Sequence, residues 1–144
     1  MVYLDTSAIV ALYVKEKRSR EISNWIVENN QAIPLTNLHE LEFSNAIRLK
    51  QFRDEIDSNQ AGLVVSRFRE HAENGIFYSP QVDWTAVFKL ANELSVNHTS
   101  AIGSRSLDIL HVAMALSISS DRLLSFDEKQ KELATRAGLK TVVF

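Results

Sequence analysis

Four acidic residues stand where a carboxylate is least at home: Asp5, Glu42, Asp108 and Asp127. Asp5 stops the apolar run Val2-Tyr3-Leu4, and Asp127 follows Arg122-Leu123-Leu124-Ser125-Phe126. Asp108 and His111 interrupt the stretch from Ser106 to Leu116, which is apolar almost all round a helix and is therefore buried on most sides. Glu42 sits beside Leu38, Asn45 and Ala46 on a helix side that also carries Leu41, Leu49 and Phe52. A carboxylate in such surroundings is costly unless it is paired, hydrogen-bonded or bound to a metal. If the four meet, their repulsion keeps some of them protonated unless cations neutralise them. A hard, oxygen-binding ion such as Mg²⁺ or Mn²⁺ resolves the conflict. Such an ion polarises a phosphoryl oxygen and lowers the pKa of a bound water, and two of them, about 3.5–4 Å apart, clamp both oxygens of an in-line displacement. The chemistry this points to is phosphodiester hydrolysis.

Whether the acids meet depends on the elements that carry them. A strand at 2–4 runs into a helix that Ser7 can cap and that continues to Tyr13. A helix over 18–29 precedes a short strand at 32–35, where Pro34 suggests an edge. Asn37 and Glu40 have capping-box spacing and open a helix reaching about residue 52. A helix over 58–74 has Ala61, Val64, Val65, Phe68 and Ala72 on its apolar side, and Ile76-Phe77-Tyr78 forms the next strand. Asp83 caps a helix over 84–97; 97–105 reads as a polar, glycine-bearing loop; the apolar helix then spans 106–119. A strand at 122–126, a helix over 128–137 closed by Gly138 and a strand at 141–144 complete the chain.

Strands alternating with helices predict an α/β fold with a parallel sheet of four or five strands covered on both faces. Right-handed crossovers bring the strand C-termini to one edge, where sites in open α/β sheets lie. Asp5 and Asp127 follow strands to that edge, Asp108 opens the helix leading into the later strand, and Glu42 rides on the first turns after the 33–35 strand.

The totals narrow the classes. A chain of 144 residues, 45% hydrophobic and 24% charged, is expected to form one globular domain over 1–144. Sixteen Lys and Arg against 18 Asp and Glu give a formal charge of -2, so any nucleic-acid binding must use local basic patches and bridging cations. Cysteine is absent, which excludes disulfides and thiolate metal sites and fits a cytoplasmic protein. The apolar start lacks a basic region before it, no run is long enough to span a bilayer, and no membrane association is expected.

Each singled-out residue also has a plainer reading. Asp5 or Asp127 fits a helix cap, and Ser125 with Glu128 fits a capping box. Glu40 fits a capping role better than a ligand role. Glu42 could pair with Arg48 or Lys50 nearby or with a distant base, and Asp108 alone would favour the positive end of its helix. Without cysteine, a zinc site at His98 or His111 has little support, and His111 is expected to be a hydrogen-bonded core histidine. Thr6 and Ser7 suit contacts behind the acids better than nucleophilic roles, since no base is evident. For Arg105 three partners remain open: a phosphate, a helix carboxylate, or water. The charged side of the 58–74 helix usually means a solvated face, though residues 50–75 are also a candidate specificity arm.

The motifs carry a resemblance. Tyr3-Leu4-Asp5-Thr6-Ser7-Ala8, Glu42-Phe43-Ser44-Asn45-Ala46, Arg105-Ser106-Leu107-Asp108 and Leu124-Ser125-Phe126-Asp127 resemble, in order, the four motifs of the PIN-domain family, in particular its VapC-like toxins. Ser125 stands where the family's usual motif has Thr, which keeps the hydroxyl. The resemblance implies a PIN-like three-layer α/β/α domain and a Mg²⁺- or Mn²⁺-dependent endoribonuclease. It implies Asp5, Glu42, Asp108 and Asp127 as metal-binding and catalytic residues, with Thr6, Ser7, Asn45, Arg105 and Ser125 as supporting or RNA-contacting ones. An RNA substrate, a cognate antitoxin and a homodimer follow as expected partners. Two other functions remain open at this point: a PIN-like module that binds RNA or protein without cutting, and a housekeeping RNA-processing nuclease without an antitoxin.

Overall fold

A computed structural model describes residues 1–143. In chain order the elements are β1 (Val2–Leu4), α1 (Thr6–Tyr13), α2 (Ser19–Asn29), α3 (Asn37–Phe52), α4 (Ser58–Glu73), α5 (Trp84–Ile102), α6 (Ser106–Ser117), β2 (Arg122–Leu124), α7 (Glu128–Arg136) and β3 (Lys140–Thr141). They fall into two compact units, one made of residues 1–5 with 80 onward and the other of residues 6–79.

The first unit holds the sheet. Its strands run in the order β1-β2-β3 and all pairs are parallel, as predicted. Leu4 lies opposite Leu124, so β1 and β2 end side by side. Strands this short make few ladder bonds; burial holds them. Val2, Tyr3, Leu4, Leu123 and Leu124 are all fully buried, and a buried aliphatic or aromatic side chain contributes roughly 1.5–3 kcal/mol. α5 packs on α6, while α6 and α7 both touch β2. β2, α7 and β3 form a parallel β-α-β unit. The apolar helix is as enclosed as its sequence demands: Ile109 to Ala115 are all buried.

The second unit is helical around an aromatic cluster. Phe43 and Phe68 stack with centroids 3.9 Å apart, and the Tyr13 ring meets both edge-on. α1 packs against α2 and α3, and α3 against α4. The expected strands at 32–35 and 76–78 shrink to one parallel bridge, Pro34 with Tyr78. Its bonds run from Leu35 N–H to the Tyr78 carbonyl and from Tyr78 N–H to the Ile33 carbonyl.

Several local expectations need correction. α1 already includes Thr6, so Ser7 does not cap it. α3 is capped by Thr36 with His39 as the reciprocal partner, not by Asn37 with Glu40. Its buried side is Leu38, His39, Phe43 and Ile47, whereas Leu41, Leu49 and Phe52 are exposed. α5 continues to Ile102 and absorbs most of the predicted loop; the turn begins only at Gly103, whose φ of 73° closes the helix. β2 ends at Leu124, so Ser125 and Phe126 separate it from Asp127. Lys140 and Thr141 form β3, and Phe144, the end of the expected last strand, lies outside the described residues.

Candidate active site

Asp108, Asp127 and Asp5 are carried by three different segments of the first unit. Asp108 lies in the first turn of α6 and its side chain is 16% exposed. Asp127 precedes α7 as its N-cap: its Oδ1 accepts from the Gln130 N–H at 2.9 Å. Of the two cap readings, Asp127 itself takes the position, and not Ser125 with Glu128. The Ser125 hydroxyl instead accepts from the Asp127 N–H at 3.0 Å and fixes the two-residue extension after β2. Asp5 is 5% exposed and directly follows β1; its N–H donates to the Leu124 carbonyl at 3.0 Å. The β1–β2 pairing therefore sets Asp5 beside the start of the Ser125–Asp127 segment.

Arg105 binds two of these acids. Its Nε donates to Asp108 Oδ2 at 2.8 Å and its Nη2 to Asp108 Oδ1 at 3.4 Å, while Nη2 lies 3.5 Å from Asp127 Oδ2. Of the three partners left open for Arg105, the structure selects the helix carboxylate. The Asp108 hydrogen bond, before anything else, raises the guanidinium pKa above its usual value. One cation is thus shared by two carboxylates from separate segments.

Sequence reasoning missed Gln130. It is 1% exposed, its backbone anchors Asp127, and its Nε2 lies 3.4 Å from the Asp108 backbone carbonyl. Its Oε1 has no hydrogen-bond partner among the described residues. The available signal was its spacing, three residues after an acid, which is the second half of an N-cap. Tyr3 and His111 add a second brace. Tyr3 Oη and His111 Nδ1 are 2.8 Å apart and both residues are buried. The bond ties β1, two residues before Asp5, to α6, three residues after Asp108. His111 is thereby the core histidine that was expected.

The remaining candidates belong to the second unit. Thr6 is buried and its hydroxyl donates to Glu42 Oε1 at 2.9 Å, a bond across 36 residues of sequence. Lys50, one of the ion-pair partners considered for Glu42, pairs with Glu16 and Glu55. Ser7 and Asn45 are exposed, as is Glu40.

Among the described residues, no three His, Asp or Glu side chains form a group that could hold a metal ion. The donor chemistry at Asp108 and Asp127 nevertheless suits a small hard cation. Mg²⁺ usually takes only one or two carboxylates and fills its other positions with water and phosphate oxygens. Here two carboxylates already close on a cation, with the second oxygen of Asp127 fixed from behind by α7.

The crystal structure of FitAcB from Neisseria gonorrhoeae is similar to this chain, with a TM-score of 0.64 at 13% identity, over 99% of this chain and 97% of that one. At that identity the likeness is one of fold. No curated protein sequence matches the chain. The PIN domain family matches residues 2–136. That range takes in both units and all four acid-bearing segments, from the strand before Asp5 to the cap of α7, and the chain belongs to the PIN domain family.

Proposed function

We propose that this protein is a Mg²⁺- or Mn²⁺-dependent endoribonuclease and the toxin of a type II toxin–antitoxin pair. The PIN domain is a nuclease fold that often occurs in such toxins. The observation that carries the catalytic half is the shared cation: Asp108 and Asp127, from α6 and from the turn before α7, converge on the Arg105 guanidinium. Carboxylates so arranged are organised for positive charge. On this reading Asp108 and Asp127 hold the metal directly. Asp5, and on its motif Glu42, bind it or order the attacking water. The bound ion supplies polarisation of the phosphoryl oxygen and a water of lowered pKa.

The rest is done by the chain itself. Ser125 holds the Asp127 backbone and the α7 N-terminus holds its Oδ1, so its outer oxygen is presented with little ordering left to do at binding. The Tyr3–His111 bond holds the carriers of Asp5 and Asp108 in register. Thr6 orients Glu42 through a hydrogen bond to its Oε1. Ser7, Asn45 and Arg105 are the proposed RNA-facing residues. An antitoxin, a second copy in a homodimer and a cytoplasmic setting complete the proposal; no helix among the described residues is long and apolar enough to cross a membrane.

The test is purified protein incubated with total RNA in Mg²⁺, in Mn²⁺ and in EDTA, with any new ends mapped. Metal-dependent cleavage that Asp5→Asn and Asp108→Asn each reduce by roughly 100-fold or more is expected, the scale of losing one preorganised electrostatic group. Undiminished cleavage by both variants overturns the site. RNA binding without metal-stimulated cleavage would instead favour a binding module. Induced expression without an antitoxin that leaves growth unchanged would overturn the toxin assignment and leave the nuclease assignment standing.

A further inference from the structure

We propose that Arg105 is a displaceable internal cation: it bridges Asp108 and Asp127 and leaves both when a divalent metal binds. The inference rests on the metal reading above.

Three observations carry it. First, the contact geometry is graded. Nε reaches Asp108 at 2.8 Å, but Nη2 sits 3.4 Å from the other Asp108 oxygen and 3.5 Å from Asp127. The guanidinium is therefore firmly held at one point and loosely at the rest. Second, the Arg105 side chain is 76% exposed, against 16% for Asp108 and 37% for Asp127. The acids are set into the protein and the base is not, so the base is the partner free to move. It follows the left-handed Gly103 and precedes α6 without making a side-chain capping bond. Third, the charges do not close. Two carboxylates and one guanidinium leave one negative charge uncompensated. A divalent ion seated on these two carboxylates supplies the missing charge, and an arginine that stayed would then face a like charge at contact distance.

Asp127 is built for such an exchange. Its Oδ1 is occupied by the Gln130 N–H whichever cation is present, and its Oδ2 faces Arg105. The swap therefore needs no movement of α7. Release of Arg105 puts a planar, five-donor group at the rim of the site, where it can pair with an anion.

Calorimetric titration of Mn²⁺ into wild type, Arg105→Gln, Arg105→Lys and Asp108→Asn, without RNA, tests the exchange. Arg105→Gln should bind Mn²⁺ roughly threefold to tenfold more tightly than wild type, the scale of breaking an exposed ion pair and removing a like charge. Arg105→Lys should fall between, and Asp108→Asn should lose binding. In wild type the Arg105 Nε–H resonance should move to its solvent-exposed position when Mg²⁺ is added. Equal or weaker binding by Arg105→Gln overturns the exchange and leaves the metal site standing. Failure of both wild type and Arg105→Gln to bind overturns the metal reading and the exchange with it.

Discussion

Each of the two units contains a tyrosine hydroxyl 2.8 Å from a histidine Nδ1: Tyr3 with His111 in the first, Tyr13 with His71 in the second. Bond length does not distinguish them; surroundings do. Tyr3 and His111 are 0% and 3% exposed, whereas Tyr13 and His71 are only partly buried. The first pair joins a strand to a helix beside two acids. The second lies at the margin of the Phe43–Phe68 stack, where the cleft of about 300 Å³ lined by Tyr13, Lys15, Leu63 and Arg67 opens. A buried polar pair specifies one arrangement because each partner loses much when the other is gone; a margin pair can fall back on water.

Substitution can break that contrast. His111→Ala removes a buried ring as well as a bond and should cost roughly 2–4 kcal/mol in urea denaturation. Tyr3→Phe removes only the hydroxyl from the same pair and should cost about 1–2 kcal/mol. Tyr13→Phe, the matching change in the second unit, should cost at most about 1 kcal/mol, since water can reach His71. Equal losses for the two Tyr→Phe variants would show that exposure is not what separates the pairs.

Alkaline titration sharpens the same point. Burial, opposed in part by Arg67, pushes the Tyr13 hydroxyl from 10.0 up to about 12. The unfolded chain then ionises first. The stability contributed by neutral Tyr13 is whole below pH 10.0 and is lost as pH rises toward about 12. A tyrosinate absorbance difference between wild type and Tyr13→Phe should show the late component; a component at the ordinary value would contradict the burial. The smallest effect is expected at Lys50, where loss of the Glu16 and Glu55 pairs in Lys50→Met should change stability by about 0.5 kcal/mol or less.

Much of this was legible in the sequence, and the misses have physical reasons. Asp5 could be placed because a run of three apolar residues ending in an acid has few alternatives. The α6 core could be read because Ile109 to Ala115 leave no polar face except at Asp108 and His111. The end of α5 was misjudged because Asn97 to Ser100 are polar, yet Leu94 and Ile102 alone keep that face buried. On α3, spacing could not say that Leu41 and Phe52 lie on the exposed side while Phe43 and Ile47 are buried. The Thr6–Glu42 bond spans 36 residues and has no local signature. Ser125 and Asp127 both satisfy the rules for a helix cap. The choice between them depends on the path of the backbone after Leu124, which only the fold determines.

Asparagine caps a helix about as well as aspartate, and the α7 cap uses one Asp127 oxygen against a backbone N–H. A drift from Asp127 to Asn would therefore keep the α7 cap while removing the charge that faces Arg105. Position 127 thus carries two duties on one side chain, and only one of them needs a negative charge.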